Sequence, residues 1–196
     1  MRVKQINKLI IIGGPSASGK SYLIKKMQKG KLPNLCKQIE VPSPLIFPDI
    51  LVKDFPSLSN LNIPGLIVHY DFCAQYSSGE YSHIFNLLKK SDNIIVLTLK
   101  TPLKTLIKRN IRRIFILSLY SIILLKFSLK NSAIYKKTQN KILKKLEMHQ
   151  KYSKGHDAFL YKEWDRVLRN FPINACWEIN GNWKNEKKLV LPGIRE

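Results

Sequence analysis

Residues 8–14, KLIIIGG, form a short β-branched apolar run that stops on two glycines. A run this apolar on both faces fits a central parallel strand with cover above and below, not an edge strand with one wet face. Residues 20–29, KSYLIKKMQK, follow with Leu23, Ile24 and Met27 at helical spacing, and Gly30 stops the helix. Between strand and helix stands Gly14-Pro15-Ser16-Ala17-Ser18-Gly19-Lys20-Ser21. This octet has the spacing G-x-x-x-x-G-K-[ST] in full, and it sits where a strand turns into a helix.

That spacing has a physical use. Gly14 and Gly19 permit backbone angles closed to other residues. The loop can then turn successive N–H groups inward, at a helix N-terminus, as a cradle for an anion. Lys20 can reach the β- and γ-phosphates of a triphosphate, and the Ser21 hydroxyl is placed for Mg²⁺. The octet in this frame, roughly residues 8–30, resembles the P-loop NTPase superfamily. The Ser-Gly-Lys-Ser ending so near the N-terminus is similar to small-molecule and nucleotide kinases. The resemblance implies an α/β, three-layer P-loop fold with a mainly parallel central sheet. It also implies ATP or GTP with Mg²⁺ as ligands, held by Gly14, Pro15, Ser16, Ala17, Ser18, Gly19, Lys20 and Ser21. Sulfotransferases share a related fold, but their phosphate loop normally lacks this ending.

Further strands are expected at 65–72 (GLIVHYDF) and 93–99 (NIIVLTL), with a weaker one at 174–180. Helical stretches between them imply crossovers and a parallel sheet. Residues 31–64 hold six prolines, so the path there is irregular, with short strands near 37–41 and 45–47. A helix is expected at 80–90. Another is expected over 157–166, opened by Asp157, with Phe159, Leu160, Trp164 and Val167 inward.

Asp71 ends the second clear strand and resembles a Walker B acid that holds Mg²⁺; the plainer reading is a strand-end cap. His69 alternates with Asp71 on one strand face, either lining the same site or simply packed. Glu40 and Asp49 lie where such kinases often bind the acceptor, though neither sits in a recognisable motif and a surface role is the favoured reading for each.

The chain has 196 residues and a formal net charge of +21. Residues 100–154 hold fifteen Lys/Arg and one acid, Glu147. Two helices, near 102–127 and 131–150, are expected there as an insert or lid on a single domain spanning 1–196. Arg109, Arg112 and Arg113 fall on one helix face. Arg109 and Arg113 resemble lid arginines that stabilise a transferring phosphoryl group; a solvated basic face is the other reading. Within the same segment, IFILSLYSIILL (114–125) is nearly all apolar but too short to span a bilayer. It is expected to be a buried helix, or failing that a membrane-surface contact.

Three cysteines far apart, with no zinc spacing, argue against a disulfide framework and fit a cytoplasmic protein. The leading expectation is a kinase-like phosphotransferase acting on a small or nucleotide-like acceptor. In it Lys20, Asp71, Arg109 and Arg113 are catalytic, and Ser21 and Asp71 hold the metal. The rivals are a nucleic-acid-associated NTPase using the basic segment and a nucleotide-gated protein of acidic membrane surfaces.

Overall fold

The apolar run near the N-terminus becomes β1 (Ile6–Gly14), the strand about which the sheet is built. The computed structural model describes residues 6–51, 64–71, 80–127, 132–154, 156–169, 173–180 and 189–190. After β1 come α1 (Lys20–Gln28), α2 (Pro33–Gln38), β2 (Asp49–Leu51), β3 (Leu66–Asp71), α3 (Glu80–Lys89) and β4 (Ser91–Lys100). Then follow α4 (Leu103–Lys126), α5 (Ala133–Ser153), α6 (His156–Leu168), β5 (Ala175–Asn180) and β6 (Leu189–Val190). The strand order is β2-β3-β1-β4-β5-β6. All neighbours run parallel except the β5–β6 pair at one edge.

The expected α/β class and mainly parallel sheet are therefore present, and the period-two alternation of β1 explains the layering. Leu9 and Ile11 enter one core with Ile84, Leu87 and Leu88 of α3 and Trp164 of α6. Ile10 and Ile12 enter a second core with Leu23, Ile24 and Met27 of α1 and Leu35 of α2. Helices thus cover both faces, and all four of these β1 side chains are fully buried. Each contributes about 1.5–3 kcal/mol of hydrophobic stabilisation, which is why residues 9–12 include no polar side chain.

The helices that follow β1 and β3 lie on opposite faces of the sheet, although β1 and β3 are neighbours. In an open parallel sheet such a reversal leaves a crevice outside the carboxyl ends of the two strands. Gly14 ends β1 and Asp71 ends β3, and the two are paired in register.

The proline-rich stretch departs from expectation. No strand forms at 37–41 or 45–47. Pro33 instead opens α2 as a first-turn residue, where its missing N–H costs nothing. A three-residue strand, β2, then joins β3. α6 begins one residue before Asp157, which lies in its first turn and not ahead of it. Cys73, Gly181 and Asn182 fall outside the described residues.

Residues 102–159 form a compact unit of their own, distinct from 1–101 with 160–196. Its long helices α4 and α5 pack as a hairpin. Ser132 caps α5 by accepting from the Tyr135 N–H at 3.1 Å. The seam includes polar contacts: Asn110 Nδ2 donates to the Lys145 carbonyl at 2.7 Å, and Gln139 Nε2 to Ser121 Oγ at 2.5 Å.

The expected burial of 114–125 is overturned. Phe115 is 61% exposed, Ile116 53% and Ile122 51%. A two-helix hairpin has one seam, and it covers only part of each helix. On α4 the buried positions are Leu106, Asn110, Ser121 and Leu124, which leaves most of the apolar run outside it. Among the described residues no helix is long and apolar enough to cross a membrane.

Candidate functional site

The loop after β1 is a tight turn fixed by its own backbone. The Ser18 N–H donates to the Pro15 carbonyl at 3.1 Å. Ala17 adopts a left-handed φ of 70° and Gly19 a φ of 109° immediately before α1. The glycine at 19 is what lets the chain enter the helix in this conformation. At Gly14 the constraint is space, since a Cβ there would lie 2.7 Å from Ser18 Oγ and 3.3 Å from the Leu99 carbonyl. Thr101, just past β4, donates from Oγ1 to the Ser18 carbonyl at 3.1 Å and ties the loop to the neighbouring strand end. Tyr161 holds that strand end, donating to the Leu99 carbonyl at 2.7 Å and accepting from the Thr101 N–H at 3.1 Å.

The start of α1 carries no side-chain cap and no acid in its first turn among the described residues. The positive end of the helix dipole is therefore left to whatever the loop holds. Lys20 stands in that first turn and is buried. Its ammonium donates to the carbonyls of Gly14 at 2.8 Å and Pro15 at 2.9 Å. It lies 3.6 Å from Asp71 Oδ2. Two carbonyls and one carboxylate thus compensate a buried cation that would otherwise be costly. The Asp71 side chain is 34% exposed, so solvent weakens this pair. A more highly charged anion arriving at the loop can compete for the ammonium. Lys20 and Asp71, singled out separately in the sequence, are brought together.

Ser21 follows Lys20 and is exposed. One hydroxyl and one carboxylate match the small protein donor set Mg²⁺ uses when phosphates and waters supply the rest. Among the described residues no three His, Cys, Asp or Glu side chains gather as a metal cluster.

A second polar group lies on the same sheet face as Asp71. His69 Nε2 and Asp49 Oδ2 are 3.0 Å apart, and Gln28 Nε2 donates to Asp49 Oδ1 at 3.0 Å. Burial alone would raise the Asp49 carboxyl, but the hydrogen bonds from Gln28 and His69, with the charge on His69, hold it below its ordinary value. Nothing in the sequence spacing shows this pairing, because it depends on β2 lying against β3. Glu40 takes no part in it: this exposed residue has a left-handed φ of 53°, and its carbonyl accepts from Lys8 Nζ at 2.6 Å.

A third group was not legible in the sequence. On the opposite sheet face Lys100 forms an ion pair with Glu178 across β4 and β5. Burial, then Asp165 and Glu178, push the Cys176 thiol up to about 11. Arg109 and Arg113 belong to the other unit, on α4. Arg109 is half-buried, and Arg112 and Arg113 are exposed.

No family model matches the chain, and none of the curated proteins matches it.

Proposed function

We propose that residues 14–21 are a P-loop for ATP or GTP with Mg²⁺, and that the protein is a kinase-type phosphotransferase acting on a small or nucleotide-like acceptor. The observation that carries this reading is Lys20. It is a buried ammonium at an uncapped helix start, held by the loop's own carbonyls beside Asp71, in the crevice where β1 and β3 end. A site that concentrates positive potential there is suited to a polyphosphate.

On this reading the loop N–H groups and Lys20 bind the β- and γ-phosphates, and Ser21 and Asp71 hold Mg²⁺ directly or through water. The metal neutralises charge on the phosphate oxygens. In-line transfer leaves little covalent work for the protein, so catalysis rests on positioning and electrostatics. Arg109 and Arg113 lie on α4 of the helical unit, and the resemblance alone gives them the part of lid arginines.

The test is Mg²⁺-dependent nucleotide binding by Asp71→Asn. In EDTA the variant is expected to bind ATP at least as tightly as the wild type, since Lys20 loses a competing carboxylate, and it is expected to lose about tenfold or more of the tightening that Mg²⁺ brings. A Mg²⁺ response equal to the wild type's removes Asp71 from the metal site.

A further inference from the structure

The solvent-facing side of α4 has a pattern that nucleotide binding does not explain. Lys104, Lys108, Arg112, Phe115, Leu119, Ile122 and Lys126 are all exposed. Their spacing of three or four residues lines them up as one row along the helix. The row is basic, then apolar, then basic again. Ile116, Ile123 and Phe127 widen its apolar part, and Phe127, just past the helix end, is 72% exposed. From Ile122 round to Phe127 the apolar arc covers roughly 140° of the helix. Contiguous exposed apolar surface of this kind marks an interaction site.

From these observations we infer that the apolar half of α4 docks into the interface of an anionic lipid bilayer. The breadth of the arc is the first argument. A partner helix is met by a narrow seam, whereas a helix lying in a bilayer interface immerses a wide apolar face beneath a basic one. Charge is the second. Lys104, Lys108 and Arg112 precede the apolar stretch on its own row and Lys126 follows it, and all four are exposed. Long basic side chains beside an immersed face reach up to lipid phosphates and carboxylates. Length is the third. The stretch from Phe115 to Phe127 runs about 18 Å, well short of the roughly 30 Å of a hydrocarbon core, so it lies in the membrane and does not cross it.

The same features disfavour other occupants. A second copy of the chain would bring Lys108, Arg112 and Lys126 against their own kind. Nucleic acid would satisfy the lysines and leave the row of isoleucines and leucines in water.

The inference does not depend on the nucleotide reading. It is tested by floating the full chain with vesicles of phosphatidylcholine alone or with 30% phosphatidylserine, at about 0.15 M salt. Co-flotation is expected only with the anionic vesicles. Leu119→Glu and the double variant Phe115→Ser/Leu119→Ser should each cut the bound fraction about tenfold or more while leaving the helical circular dichroism unchanged. Absence of flotation with anionic vesicles overturns the inference. Flotation that both variants retain in full means attraction by charge alone and also overturns it. A wild-type dimer by light scattering that Leu119→Glu converts to monomer assigns the face to a second copy instead.

Discussion

Ala17 carries the left-handed φ of 70° with a side chain attached, and that costs about 1–2 kcal/mol relative to glycine in the same conformation. Ala17→Gly is therefore expected to gain about 1 kcal/mol, part of the relief being offset by the freer unfolded chain. Thermal unfolding checks it, and a lower melting temperature contradicts it. Two carboxylates give opposite pH signatures. Asp49 is held below its ordinary 3.8, so its contribution is present above that pH and lost as pH falls through the lowered folded value. Asp165 is raised, first by burial, then by Glu178 against the pull of Lys100 and Arg169. Its ionisation disfavours the fold as pH rises from 3.8 through the raised value. Asp49→Asn should thus destabilise at neutral pH and Asp165→Asn stabilise. Both differences should vanish in acid. Melting curves from pH 3 to 7 read both, and parallel curves for the two variants contradict the assignment.

Among the elements, α6 is fixed to the sheet by Trp164 as well as by Tyr161. Trp164 is fully buried, its ring lies 4.7 Å from that of Tyr70, and its Nε1 donates to Thr98 Oγ1 at 2.9 Å. Trp164→Phe keeps most of the packing but leaves the Thr98 hydroxyl without this donor, a loss of about 1–3 kcal/mol. Trp164→Ala should cost about 3–5 kcal/mol. Urea unfolding distinguishes them, and equal midpoints would deny the hydrogen bond a role. Elements buried on both faces were the legible ones, because β1, β3 and β4 each carry a short apolar run, at 9–12, 66–68 and 94–97. α2 was hidden because a proline that breaks a helix interior also starts a helix. β2 was hidden because a strand of three residues has no period. The apolar run of α4 was legible as a helix but not as an exposed one. Composition alone does not say which side of a helix meets its partner, and here the polar Asn110 and Ser121 take the seam.

For the whole molecule, the strand order is the property least present in the sequence, and it is what makes the site. Parallel pairing sets Asp71 opposite Gly14 and brings Lys20 beside Asp71, across fifty residues of chain. Each was visible as a residue, but their meeting was not. The His69–Asp49 pair and the Lys100–Glu178 pair likewise required register. The helical unit adds a second surface with its own chemistry, basic and apolar in sequence along one row. The proposed role of the loop at 14–21 is to hold a polyphosphate through Lys20. Calorimetric titration of the purified chain with Mg²⁺-ATP and Mg²⁺-GTP, beside Lys20→Ala, tests it directly. Saturable binding of at least one nucleotide is expected, with a loss of about a hundredfold or more in Lys20→Ala. Equal binding by wild type and variant, or no binding of either nucleotide by the folded wild type, would contradict it.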